Sequence, residues 1–327
     1  MDFSRVGIVV GHASDTEGAT GVTVIRAEQG AMRSGVAILG RATGSRELHA
    51  ASADHLVDGR VDAIVLTGGS AYGLDCVAGV MRWMEERGRG FPVGGGVVPI
   101  IPAGVVFDLA PVGTFNARPT PAMAYQACDS ASAQVAEGAI GAGTGVTVGK
   151  IRGAGSAMKS GLGCAIIQSD DHAITVGAVA VVNALGDVRN SRGEIIAGAR
   201  DGRGGFLDTA RTLAEGDKST EASLDDVALR NTTLALVAVS VPLAATELTQ
   251  LARVASGALF KRITPVGTSV DGDIVFAVSP ESGERRQIQP MIIESLAVAA
   301  LEQAIERAVT LVHGRDGIPG YADRNGH

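Results

Sequence analysis

Aromatic side chains are scarce in this chain. Phe, Tyr and Trp supply 3% of 327 residues, which argues against an aromatic-rich binding surface. Cysteine is almost as sparse: Cys76, Cys128 and Cys164 stand far apart with no C-x-x-C, so a disulfide framework is excluded and reduced thiols are expected. There is no excess of positive charge. A net charge of −7 and a pI near 5.4 argue against a nucleic-acid partner, which would need a basic face. No apolar run reaches a membrane span, and MDFSRVGIVVGHASD lacks the basic and apolar regions of a signal peptide. A soluble cytoplasmic chain with no membrane partner is therefore expected. The six histidines show no H-x-x-x-H or H-E-x-x-H grouping, and Asp271-Gly-Asp273 lacks the other ligands of a calcium loop, so neither metal nor cofactor is expected.

What is present is small and aliphatic. Hydrophobic residues make up 46% of the chain and glycine contributes 45 residues. A core of Ala, Val, Leu and Ile with close backbone approaches suits a layered α/β protein. Short β-like runs stand at Val6–Val10, Gly21–Ala27, Val36–Leu39 and Val61–Leu66. Helical spacing follows over Leu74–Arg87, where Leu74, Val77, Val80, Met81 and Met84 share one face, and a second helix is expected over Ala122–Glu137. After the glycine-rich Ala139–Gly163 the pattern predicts strands at Ala173–Asn183, Thr233–Val239 and Ile274–Val278, and helices at Ala244–Lys261 and Met291–Val312. The two late strands read as neighbours. Between Gly186 and Leu224 the composition turns to Gly, Arg, Asp, Glu, Ser and Thr, which reads as an exposed, linker-like excursion. The whole reads as one compact domain over 1–327, a three- or four-layer α/β sandwich.

Two glycine turns could carry chemistry. TGGSAYG follows a strand and opens a helix, yet it meets neither G-x-G-x-x-G nor the G-x-S-x-G that would make Ser70 an elbow nucleophile. Gly149-Lys150 lacks both the earlier glycine and the following Ser or Thr of a phosphate loop. Both are read as tight turns that could line a pocket with backbone N–H groups. The stretch VALRNTTLALVAV puts Asn231, Thr232 and Thr233 at the mouth of a buried strand. A turn or an unused glycosylation sequon explains it, and so does a chain cut between Asn231 and Thr232. A threonine hydroxyl is a weak nucleophile unless a base takes its proton, and a neutral amine on the same residue can be that base. An α-amino pKa near 8 suits neutral pH.

The stretches VGHASDTEGATGVTVI, VDAIVLTGGSAYGLDCVAGVMRWMEERGRGFPVGGGVVPIIPAGVVFDL, GTGVTVGKIRGAGSAMKSGLG, VGAVAVVNALGD and RNTTLALVAV…GDIVFAVS resemble the P1 (S58) peptidase family. That family includes the D-aminopeptidase/L-aminopeptidase esterases, β-peptidyl aminopeptidases and 6-aminohexanoate-oligomer (nylon-oligomer) hydrolases. The resemblance implies an αββα four-layer sandwich like that of N-terminal-nucleophile hydrolases, self-processed into an α chain (1–231) and a β chain (232–327). It implies Thr232 as the nucleophile, Asn183 as an oxyanion donor, Asp271 and Asp273 as the acidic pair supporting the new amine, and Lys159 as a site lysine. Tyr72 is a weaker suggestion for the pocket wall, and Thr233 is the fallback nucleophile. A homo-oligomer, tetrameric or larger, acting on a peptide or peptide-like amide is the corresponding expectation. Acyl transfer of the ornithine acetyltransferase type and an unprocessed small-molecule-binding protein are the alternatives on the same scaffold. Which amide is cut, whether D- or L-amino-terminal peptide, β-peptide or ω-amide oligomer, stays open.

Overall fold

Strand Thr232–Val239 shows how the layers arise. Its even residues Leu234, Leu236 and Ala238 join one apolar core, while Ala235, Val237 and Val239 join another. A strand turns successive side chains to opposite faces, so a strand apolar at every position must lie between two packed layers. In the computed structural model, which describes residues 1–170, 174–216, 230–284 and 288–325, that is its position.

Two sheets face each other. The six-stranded sheet runs Leu162–Gln168, Thr175–Asn183, Thr232–Val239, Ile274–Pro280, Met32–Ile38 and Arg60–Val61 across its width. The five-stranded sheet runs Ile8–Asp15, Thr20–Ala27, Ala63–Thr67, Ala103–Val105 and Ser45–Arg46. Val179, Val181, Leu234, Leu236 and Phe276 of the first meet Ile8, Val10, Ile25, Ile64 and Leu66 of the second. Helices Ala245–Ala255 and Pro290–Thr310 cover the outer face of the six-stranded sheet, and helices Val77–Glu85 and Pro121–Asp129 cover that of the five-stranded one. The αββα order expected from the sequence is the order found. Truncating one inter-sheet side chain such as Leu236 to Ala is worth ~2–5 kcal/mol of stability.

Glycine lets the layers approach. A Cβ on Gly163 would stand 2.1 Å from Ala304 O and 2.4 Å from Ala308 N, so the long helix rests directly on strand backbone. No helix among the described residues is long and apolar enough to cross a membrane.

Three expectations need revising. The stretch read as an excursion begins with packed structure: strands Asp187–Arg189 and Ile195–Ala197 and helix Thr209–Ala214. Asp187 is fully buried, and its carboxylate accepts Ala199 N–H at 2.7 Å and Thr209 N–H at 2.6 Å. Polar composition there builds a satisfied internal node; residues 217–224 of the stretch lie outside the described residues. The helix expected to Glu137 stops at Asp129, and the chain beyond it bridges back to the five-stranded sheet through Ser132 and Val10. The helix expected over Ala244–Lys261 divides into Ala245–Ala255 and Gly257–Arg262.

Candidate functional site

Strand directions bring the chemistry to one end of the six-stranded sheet. Thr175–Asn183 runs antiparallel to Thr232–Val239, so the last residue of one, Asn183, pairs with the first of the other, Thr232. Ile274–Pro280 runs parallel to Thr232–Val239, so the residues preceding both strands lie side by side, and Asn231 bridges Asp271. Asn183, Asn231, Thr232, Asp271 and Asp273 thus converge from distant sequence positions, all of them buried.

The junction is held closely. Thr232 Oγ1 donates to Asn231 O at 2.6 Å, and the same carbonyl oxygen accepts the Gly272 N–H at 3.0 Å. One residue upstream, Arg230 O accepts from Asn183 Nδ2 at 2.9 Å and from the Lys150 ammonium at 3.1 Å. Lys150 Nζ also donates to Asn183 O and Oδ1, each at 3.0 Å. Three acceptors use all three protons of an ammonium, whereas a neutral amine has two. Burial pushes Lys150 down to about 7, opposed first by the Asp271 carboxylate.

The acidic pair divides its work. Asp271 Oδ2 accepts from Thr268 N–H at 2.8 Å and Thr268 Oγ1 at 2.7 Å, shaping the turn, while its carbonyl takes the N–H groups of Arg41 and Ala42. Asp273 Oδ1 accepts the Thr233 N–H at 2.5 Å and so fixes the start of strand Thr232–Val239. Burial, then the charge of Asp271, raises Asp273 to about 7. A Cβ on Gly272, between the two, would meet Ala42 O at 2.6 Å and Thr232 Oγ1 at 3.0 Å, which leaves only glycine room there.

Other sequence-named residues lie elsewhere. Lys159 is fully buried, but its ammonium sits on the carbonyls of Gly143, Val146 and Ser160, not on Thr232 or Asn183. Lys150 is the lysine that touches the junction. Tyr72 is 55% exposed beneath the Arg118 guanidinium, which lies 3.6 Å from the ring centroid. Thr233 turns to the opposite face of the strand, where its hydroxyl is buried without a hydrogen-bond partner among the described residues. Ser70 has the left-handed φ of 52° that an elbow serine would have, but no hydrogen bond joins its hydroxyl to a base among the described residues. No cluster of His, Cys, Asp and Glu able to hold a metal occurs among them either.

Sequence reasoning missed Lys150, the Gly272 N–H and Asp108. Two carboxyls one residue apart, as in Asp271-Gly-Asp273, need a nearby cation once buried, and the lysine of VTVGKI was available to supply it. Asp108 is buried, accepts Gly69 N–H and Thr20 Oγ1 at 2.7 Å each, and is raised to about 6 by burial.

Comparison with known proteins gives the family and the fold. The profile of peptidase family S58 matches residues 6–316. An uncharacterized aminopeptidase of Mycobacterium tuberculosis is 35% identical over 322 residues, covering 93% of this chain and 90% of that one. A 6-aminohexanoate-oligomer endohydrolase of Agromyces sp. is 29% identical over 296 residues, covering 86% of this chain and 75% of its own. Among solved structures, the L-aminopeptidase D-Ala-esterase/amidase of Ochrobactrum anthropi, described as a variant of the Ntn hydrolase fold, superposes with a TM-score of 0.67 at 20% identity over 94% of this chain and 85% of that one. A Burkholderia sp. beta-aminopeptidase gives 0.66 at 20% identity, over 97% and 89%. The chain belongs to peptidase family S58 and carries a variant of the N-terminal-nucleophile hydrolase fold.

Proposed function

We propose that the chain is a self-processing amide hydrolase whose nucleophile is Thr232, released by scission after Asn231. The observation that carries this reading is the Thr232 hydroxyl lying against its own upstream carbonyl, 2.6 Å from Asn231 O, while Gly272 N–H polarises that oxygen. In the first step Thr232 Oγ bonds to the Asn231 carbonyl carbon, the C–N bond breaks, and the hydroxyl proton ends on the leaving amine. Water then opens the ester, giving an α chain ending in the Asn231 carboxylate and a β chain beginning with the Thr232 amine.

In the processed enzyme the free amine, with a pKa near 8, takes the Thr232 Oγ proton as the oxygen attacks a substrate amide. Asn183 Nδ2 and the Lys150 ammonium, which hold Arg230 O in the intact chain, supply hydrogen bonds to developing negative charge. The proton returns to the departing amine, and water releases the acyl group from the threonyl ester. A peptide or peptide-like amide with a free amino end suits the aminopeptidase names of the relatives, and an ω-amide oligomer suits the endohydrolase name.

Intact-mass measurement of purified protein tests the reading. The expected result is two polypeptides of about 23 and 10 kDa from the 33.1 kDa chain, and a single inactive one for Thr232→Ala on a panel of p-nitroanilides and amide oligomers. A full-length chain that hydrolyses amides would overturn it.

A further inference from the structure

Asn183 can serve Thr232 only if its amide points one way, and four contacts set that direction. Oδ1 accepts from Lys150 and from the Thr147 N–H at 3.2 Å; Nδ2 donates to Arg230 O and to Phe107 O at 3.1 Å. Two of these partners, Lys150 and Arg230, belong to the junction. The other two are backbone groups, and each is anchored by a buried charge that does not touch the junction.

The first anchor is Lys159. Its ammonium donates to Val146 O at 3.1 Å, and the Val146–Thr147 peptide carries at its other end the N–H that reaches Asn183 Oδ1. With Gly143 O and Ser160 O as the other acceptors, the three protons of the ammonium are used. A cation on the carbonyl end of a peptide makes its N–H a stronger donor, and chains of hydrogen bonds polarise one another by ~10–30% per bond. The second anchor is Asp108. Its carboxylate pins Gly69 N–H and Thr20 Oγ1, and through the chain it fixes the adjacent Phe107 carbonyl that receives Asn183 Nδ2. The two charges also act on each other through space, each favouring the ionised form of its partner.

We propose that Lys159 and Asp108 are positioning residues that orient the Asn183 amide from behind, through the Val146–Thr147 peptide and the Phe107 carbonyl. The proposal rests on Asn183 serving the Thr232 reaction. It gives Lys159 a role one peptide removed from the chemistry. An apolar side chain there would also leave Gly143 O, Val146 O and Ser160 O each short of a donor, so melting temperature is read beside kcat to separate stability from positioning.

The test is Lys159→Met, read by the rate at which purified precursor converts to two chains, by kcat and KM of the converted enzyme, and by melting temperature. The expected result is a folded protein that self-cleaves and turns over about 10- to 100-fold more slowly, with KM within about twofold of wild type. A folded variant with wild-type kcat overturns the proposal, as does one whose only change is a lower melting temperature. If Lys159→Met does not fold, Thr20→Val decides: it removes one hydrogen bond from Asp108 and no charge. A kcat lowered about three- to tenfold at unchanged KM supports the positioning role, and an unchanged kcat overturns it. Thr232→Ala is run alongside, since a Thr232→Ala chain that still cleaves and hydrolyses would condemn the threonine reading itself, whatever Lys159 does.

Discussion

Lys150 and Lys159 lie on either side of one glycine-rich turn, and each is a buried ammonium with three oxygen acceptors. Burial pushes both down to about 7. Their surroundings nevertheless differ in kind. The acceptors of Lys159 are all backbone carbonyls of its own neighbourhood, Gly143, Val146 and Ser160. Those of Lys150 are the Asn183 backbone and side chain, and the Arg230 carbonyl one residue upstream of the proposed cut. One cage outlasts a scission intact, whereas the other includes an oxygen that the scission frees to move. The lesson is that a buried cation is informative about chemistry only through what its acceptors are attached to.

The comparison can be broken most sharply at Lys150. Lys150→Met takes one donor from Arg230 O and one from Asn183 Oδ1, beside the Asn231 carbonyl under attack, so precursor conversion is expected to slow about 1000-fold, well beyond the Lys159 effect. Equal effects at the two lysines would erase the distinction. Gly272→Ala is next. Its methyl would crowd Ala42 O at 2.6 Å and Thr232 Oγ1 at 3.0 Å, and conversion is expected to fall about 100-fold, followed by mass spectrometry.

His12 supplies the contrast of a buried base without a carbonyl cage. Its Nδ1 meets Thr23 Oγ1 at 3.0 Å, and its Nε2 is buried without a partner among the described residues. Burial lowers it from 6.5 to about 4. The unfolded chain therefore takes up the proton first, and stability falls as pH drops from 6.5 towards 4. That linkage contributes up to about 3 kcal/mol, and His12→Gln should remove it, flattening the acid limb of denaturant-unfolding curves relative to wild type. The smallest effect is expected at the opposite end of the central strand. There a cavity of about 510 Å³ is lined by Val241, Leu243, Leu251, Ile288 and Ile293. Leu243→Ala is expected to change kcat less than about twofold, as measured on the same p-nitroanilides.

Much of the layering was legible because the strands are apolar on both faces and the long helices keep their period. The end of helix Pro121–Asp129 was not legible, since Ala131–Glu137 remains helix-compatible in composition and is claimed instead by bridges from Ser132 to Val10 and from Gln134 to Asp2. The polar stretch after Gly186 misled for the opposite reason. One buried carboxylate, Asp187, collects two N–H donors and the Thr209 hydroxyl, enough to pack residues whose composition reads as solvent-facing. At the site, Asn183, Thr232 and the Asp271/Asp273 pair are named by resemblance alone, and strand direction explains why they meet. Lys150 was passed over because its glycine context was weighed only as a broken phosphate loop. Burial of a lysine depends on contacts with Arg230, a residue far along the chain, and no local pattern reports that.

The order of the six-stranded sheet has one more consequence. Strands Thr232–Val239 and Ile274–Pro280 lie between Thr175–Asn183 on one side and Met32–Ile38 on the other. A chain severed after Asn231 would leave both of its pieces interleaved in a single hydrogen-bonded ladder, so neither could depart without dismantling the middle of the molecule. Such an enzyme would be easy to make once and hard to remake: after denaturation its halves would have to find each other as a bimolecular encounter, where the newborn polypeptide needed only to close a loop.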